Sequence, residues 1–184
     1  FPYTTLFRST AALHGAMYAS GMGAGDFAVT TAMTFVATSN SVIYTGATPI
    51  FADIDDTFCM NPEKAEDAIH GGKVKAVIPV SFGGYPFDIK PFREIADRHN
   101  AVLIEDASHS WGGDRGDHKI GFDADMTTLS FHPVKHITTA EGGAVLTSND
   151  EYARRLRMFR NHGTTRNASE FVDEPDGIWH SEMQ

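Results

Sequence analysis

Lys135 lies in Ser130-Phe131-His132-Pro133-Val134-Lys135, directly after an apolar run, and is followed by the small residues of Thr138-Thr139-Ala140-Glu141-Gly142-Gly143. A lysine held in an apolar site gives up its proton more readily and can attack a carbonyl to form a Schiff base, whereas a surface lysine does neither. Asp106 follows four apolar residues and Glu105. Successive side chains of a strand point to opposite faces, so only one of these acids faces a ligand at the strand end. Asp106 suits either a helix N-cap or a carboxylate set against a cationic ring nitrogen. Ser130 suits either a phosphate or its own local backbone. His109 and His132 are metal ligands by residue type alone, but the nine histidines form no HExxH motif and no metal site is expected. Neither GxGxxG nor GxxxxGK[ST] occurs, so a dinucleotide fingerprint and a P-loop are both absent.

These residues converge only if the elements carrying them are parallel strands. Apolar runs of strand length (27–31, 48–53, 75–80, 101–105, 126–131 and 144–147) alternate with helical patterns at 11–19, 37–44, 61–69, 86–99 and from 149 or 150 to 159. Asn61-Pro62-Glu63 reads as an N-cap, a proline in the first turn and an acid beside the helix dipole. The alternation predicts an α/β fold with a largely parallel sheet, and 75–80 and 101–105 are continuous apolar runs as buried parallel strands should be. Ligands of such sheets gather beyond the carboxyl ends of the strands, which is where Asp106, Ser130 and Lys135 fall. Residues 164–184 are polar with little periodicity and read as loop.

Of the 184 residues, 41% are apolar and 21% charged, and 24 acids against 15 Lys and Arg give a formal charge of −9. That balance argues against a nucleic-acid or membrane-surface partner, which needs clustered basic residues. A single cysteine, Cys59, excludes an internal disulfide and a cysteine zinc site, and a cytoplasmic protein is expected.

The segment Ser130-Phe131-His132-Pro133-Val134-Lys135-His136-Ile137-Thr138-Thr139-Ala140-Glu141-Gly142-Gly143 resembles the cofactor-lysine signature of the DegT/StrS-type sugar aminotransferases, which are fold-type I pyridoxal-phosphate enzymes. Ile104-Glu105-Asp106-Ala107-Ser108-His109 resembles a second family segment. Met33-Thr34-Phe35-Val36-Ala37-Thr38, Gly46-Ala47-Thr48-Pro49 with Asp53-Ile54-Asp55, and Arg160-Asn161-His162-Gly163 resemble others, all in family order. The wording is most similar to the UDP-4-keto-6-deoxy-N-acetylhexosamine aminotransferases of the pseudaminic acid pathway.

The resemblance implies a three-layer large domain with a mostly parallel central sheet and helices on both faces. It implies that Lys135 is the Schiff-base lysine and proton shuttle, that Asp106 pairs with the ring nitrogen and that His109 lies near the ring. Ser130 would receive the phosphate through its hydroxyl, Thr10 and Ala11 through backbone N–H groups at a helix start, and Phe35 would stack on the ring. The implied reaction moves an amino group from an amino acid, glutamate, to a nucleotide-linked keto-deoxysugar, UDP-linked and at C4, in a homodimer. The alternative is a catalytically silent cofactor- or ligand-binding regulatory protein on the same fold. The family commonly has Gly at Ala140 and Pro at Ala32. Residues 1–9 match nothing in it and read as a leader outside the domain. Residues 10–163 read as an incomplete large domain, and 164–184 as a loop toward a following segment. The N-terminal arm and C-terminal small domain of the family are not represented, so this segment alone is expected to be inactive.

Overall fold

The computed structural model describes residues 3–6, 8–69, 74–172 and 182–183. In chain order the elements are β1 (Tyr3–Leu6), α1 (Ser9–Ala19), β2 (Phe27–Thr31), α2 (Ala37–Tyr44), β3 (Thr48–Ala52), α3 (Pro62–Ala68), β4 (Val74–Val77), α4 (Lys90–Arg98), β5 (Val102–Asp106), β6 (Asp114–Arg115), β7 (His118–Lys119), β8 (Met126–Ser130), β9 (Gly143–Leu146), α5 (Asp150–Arg160), β10 (Thr164–Thr165) and β11 (Glu182–Met183). Seven strands form one sheet in the order β1-β9-β8-β5-β4-β2-β3. Pairing is parallel from β3 through β8 and antiparallel at β8–β9 and β9–β1.

Three layers follow from the strand period of two. Ala28, Ala76, Ile104 and Met126 pack on one face with Ala12, Ala16 and Met17 of α1 and Leu156 of α5. Their neighbours Val29, Val77 and Leu103 pack on the other with Ala65 of α3 and Phe92, Ile95 and Ala96 of α4. The expected fold class is therefore present, and its strands are apolar on both sides because helices cover both sides.

Helix ends follow local chemistry. Asn61 caps α3 by accepting from the Lys64 N–H at 3.2 Å, with Pro62 in the first turn. Asn149, rather than Asp150, caps α5 by accepting from the N–H groups of Glu151 and Tyr152. The helix expected over 86–99 starts only at Lys90, because Pro91 is tolerated in a first turn and not in a helix interior. The strand expected over 75–80 stops at Val77, since Pro79 offers no N–H to a ladder; Val80 keeps a single bridge to Asp106.

Two further expectations are corrected. Tyr3–Leu6, placed outside the domain by the sequence reading, is the edge strand beside β9, and Leu6 joins the core. The tail is not all loop: β10 pairs with β11, and Asn167 caps a short turn at Ala168–Glu170. The β6–β7 hairpin was not anticipated, its strands being two residues each; its one local signal is the Gly116-Asp117 turn, with Gly116 at φ of 60°.

That hairpin matters to the site. Glu105 is wholly buried on the α4 side of β5, where Arg115 from β6 donates to it at 2.6 Å and Ser81 donates at 3.0 Å. Arg115 also donates to the Phe87 carbonyl at 2.6 Å and lies over the Phe87 ring. Removing the arginine would leave a buried carboxylate without its cation. Arg115→Ala is expected to lower the unfolding free energy of the intact protein by about 3–5 kcal/mol in denaturant titration. Adding Glu105→Gln should recover part of the loss, and additive losses would disprove the coupling.

Candidate active site

The residue after Glu105 faces the opposite way. Asp106, 3% exposed, ends β5 at the floor of a cleft of about 380 Å³ on the carboxyl edge of the parallel strands. Its Oδ2 accepts from the Thr38 hydroxyl at 2.8 Å and its Oδ1 from the Ser108 N–H at 3.2 Å. So Asp106 is not an N-cap; no helix follows it. The two acids split as the strand period requires, one to the brace and one to the cleft.

One end of the cleft is built for an anion. Ser9 and Thr10 open α1 there, and Arg8, at the N-cap position, offers no side-chain cap. The first helical bond is Ala12 N–H to Arg8 C=O, which leaves first-turn N–H groups without an intrahelical acceptor. The buried Ser130 at the end of β8 lines the same cleft. Ser130 pairs across the sheet with Gly143, and a Cβ at Gly143 would lie 2.7 Å from the Arg8 carbonyl oxygen. This glycine lets the start of α1 come up against the end of β8.

Lys135 sits on a loop tied to Phe131. Phe131 N–H donates to Gly142 C=O at 2.9 Å, while Thr139 N–H and the Thr138 hydroxyl donate to Phe131 C=O. Lys135 N–H donates back to His132 C=O, turning the side chain to the cleft wall. Burial pushes its amine below the usual lysine range, opposed by the negative charge of Asp106. Within this loop Ala140 has φ of 65°, the left-handed region that glycine enters freely and alanine does not.

His109 is pushed down by burial and then by the charge of Lys135, with Asp106 opposing and His136 adding a smaller depression. Its Nδ1 accepts from the Gly83 N–H at 3.2 Å, so the neutral ring carries its proton on Nε2. Gly84 beside it has φ of 87°, and a Cβ there would lie 2.8 Å from the His109 carbonyl oxygen.

The structure thus brings Lys135, Asp106, His109, Ser130, Thr10 and Phe35 to one cleft. Phe35 stands at the rim, 70% exposed. The Ala11 side chain turns into a shallow groove with His14 and Tyr44, which leaves its backbone N–H, the group expected to serve an anion, in the first turn of α1, and Ser9 lines the cleft wall. Cleft residues given no role from the sequence include Ser9, Thr34, Thr38 and Phe82, although Thr34 and Phe82 stand just past strand ends. Thr34 and Thr38 lie just past β2, but the partner that gives Thr38 its place, Asp106, is distant in sequence. His132 and His136 stand on non-helical backbone, and among the described residues no cluster of three His, Cys, Asp or Glu is placed to hold a metal.

Two substitutions test this architecture. Gly143→Ala meets backbone that cannot swing aside and should cost roughly 1–3 kcal/mol in urea unfolding of the intact protein. Ala140→Gly should do the reverse, gaining about 0.5–1 kcal/mol by relieving the left-handed alanine, after allowing for the freer unfolded chain.

Comparison with known proteins gives the family of the chain. The DegT/DnrJ/EryC1/StrS aminotransferase family model matches residues 4–178. The spore coat polysaccharide biosynthesis protein SpsC of Bacillus subtilis is 38% identical over 176 residues, covering 95% of this chain and 45% of that protein. The crystal structure of NtdA from Bacillus subtilis with bound cofactor PMP superposes with a TM-score of 0.82 at 36% identity, covering 88% of this chain and 36% of that one. PseC of Helicobacter pylori, an aminotransferase involved in the biosynthesis of pseudoaminic acid, superposes with a TM-score of 0.86 at 27% identity, over 99% of this chain and 47% of that one. The chain therefore spans less than half the length of each of these proteins, and it belongs to the DegT/DnrJ/EryC1/StrS aminotransferase family.

Proposed function

We propose that the intact protein is a pyridoxal-phosphate-dependent aminotransferase that moves an amino group from glutamate to C4 of a nucleotide-linked keto-deoxysugar. The observation that carries this reading is the meeting of Lys135, Asp106 and the open start of α1 around one cleft. The donor set fits the cofactor at both ends. The uncapped first turn of α1 and the buried Ser130 hydroxyl suit its phosphate, and the buried Asp106 carboxylate suits its ring nitrogen. When bound, pyridoxal phosphate supplies an electron sink for bonds breaking beside the transferred nitrogen.

The chain's own residues do the rest. Asp106 lies at the cleft floor, where its carboxylate would keep the ring nitrogen of the bound cofactor protonated. Lys135, its amine depressed by burial, can carry its Nζ neutral at lower pH than a free lysine, then take a proton and return it within the same cleft. His109 presents its Nε2–H, its other nitrogen being occupied by the Gly83 N–H. Phe35 at the rim offers a flat apolar face to a ring. Phe35, Val36, Val134 and Ile137 are exposed apolar residues, and the first and third line the cleft. Their exposure supports a homodimer in which a second copy covers this side. A cytoplasmic location and a UDP-linked substrate belong to the same proposal. Among the described residues no helix is long and apolar enough to cross a membrane.

The test uses the intact protein. Incubation with pyridoxal phosphate and borohydride should fix the cofactor's mass on the peptide containing Lys135, and Lys135→Ala should remove that label. Glutamate should then release 2-oxoglutarate stoichiometrically in the absence of sugar. A label on Lys135 without that release would support the silent regulatory alternative, and no label would overturn the cofactor reading. In the cofactor-free protein, competitive acylation of Lys135 should rise through a lower pH range than that of a free lysine, whose reference value is about 10.4. The sign follows from burial, which disfavours the charged ammonium and so enlarges the reactive neutral fraction at any given pH.

A further inference from the structure

Thr38 belongs to no part of the machinery described so far except by its hydrogen bond to Asp106. It is the second residue of α2, buried, and reaches across from a helix that follows β2 to a carboxylate at the end of β5. A carboxylate only accepts, so the single hydroxyl proton of Thr38 lies on the 2.8 Å line to Asp106 Oδ2. That proton is then committed. The Thr34 and Thr38 hydroxyl oxygens are 2.9 Å apart, and either atom could donate by distance alone. With the Thr38 proton already given to Asp106, Thr34 must be the donor. The direction of the chain is therefore fixed: Thr34 to Thr38 to Asp106.

Local structure explains why the two hydroxyls meet. The chain leaves β2 at Thr31, turns with Thr34 N–H bonded to Ala32 C=O, and enters α2 with Thr38 N–H bonded to Phe35 C=O. This turn, rather than a shared helix, brings the Thr34 hydroxyl, three residues before α2, to 2.9 Å from that of Thr38. Thr34 and Thr38 both line the cleft, and Thr34 is only partly buried.

The carboxylate of Asp106 is held at both oxygens, by Thr38 at Oδ2 and by the Ser108 N–H at Oδ1. An ionised carboxylate has about four acceptor sites. Two are used by these donors, which fix the plane of the group and leave the others for a ligand in the cleft.

We infer that Thr34 and Thr38 form a directed hydroxyl relay that positions Asp106 toward the ring nitrogen of the cofactor, with Thr38 as the positioning residue and Thr34 as the donor that orders it. The inference rests on the cofactor reading above. Neither threonine touches the reacting atoms. Their effect is on how tightly the carboxylate is aimed, and so on cofactor affinity and on the protonation of the bound ring.

The experiment compares Thr38→Val, Thr38→Ser and Thr34→Val in the intact protein, by cofactor affinity from fluorescence titration and by the pH dependence of the bound cofactor's absorbance. Thr38→Val keeps shape and removes the donor. It should weaken pyridoxal phosphate binding roughly ten-fold, the scale of a hydrogen bond to a charged group, and move the absorbance transition by roughly one pH unit. Thr38→Ser should restore both, and Thr34→Val should weaken binding only about two- to three-fold. The cofactor-free thermal midpoint of Thr38→Val should stay within about 8 °C of wild type. A lowered midpoint with unchanged affinity and unchanged pH profile would reduce Thr38 to packing and overturn the inference. If Thr38→Val does not fold, Thr34→Val at the cleft wall decides: unchanged affinity and profile overturn the relay, and the small loss supports it. A wild-type protein that shows no cofactor signal overturns the cofactor reading and this inference together. A wild-type signal indifferent to every threonine variant overturns the relay alone.

Discussion

At the end of β5 two consecutive carboxylates have to be accommodated in a nearly water-free sheet. The strand period sends Glu105 to the α4 side and Asp106 to the cleft, and each must find its own donors. Glu105 draws in Arg115, and with it the β6–β7 hairpin and the Phe87 carbonyl. Asp106 draws in Thr38, and with it the first turn of α2. A one-residue slip of β5 would bring the wrong acid into the cleft and leave the arginine facing nothing. The need to satisfy both charges is thus what locks register, hairpin and α2 into one arrangement.

The chain's charge of −9 is awkward for a protein proposed to hold a phosphate cofactor and a nucleotide-linked sugar. The cleft resolves this locally. Its anion-facing end uses backbone N–H groups at the start of α1 and the Ser130 hydroxyl, which add no formal charge and are not screened as exposed lysines are. Arg8 also lines the cleft, but Glu141 lies 3.5 Å from it and offsets it. Net charge describes the surface, while the site depends on dipoles aimed inward.

Much of this was legible in the residues. The alternation of apolar runs and helical patterns implied the layered sheet, and Asp106 and Ser130 end strands while Lys135 follows one, the place where such sheets collect ligands. The helix starting at Lys90 was misjudged because apolar spacing was weighed above the proline at position 91. The edge strand at Tyr3–Leu6 was missed because it is short and its partner lies at the far end of the chain, a pairing that no local pattern encodes. Thr38 was passed over for a similar reason: its meaning depends on Asp106, in a distant part of the sequence. Ala11 was chosen for its backbone N–H at a helix start, a role that does not depend on its side chain, which turns to the neighbouring groove.

The loop that carries Lys135 is closed on itself through Phe131, Thr138, Thr139 and Gly142, all by backbone or threonine groups. Among the described residues no hydrogen bond or ion pair of the fold runs through the lysine's Nζ. Scaffold and proposed reagent are therefore separable here: exchanging that one side chain would remove the proposed chemistry while costing the fold almost nothing. A site built this way can change its chemistry by drift at a single codon, and selection on stability alone would not resist the change.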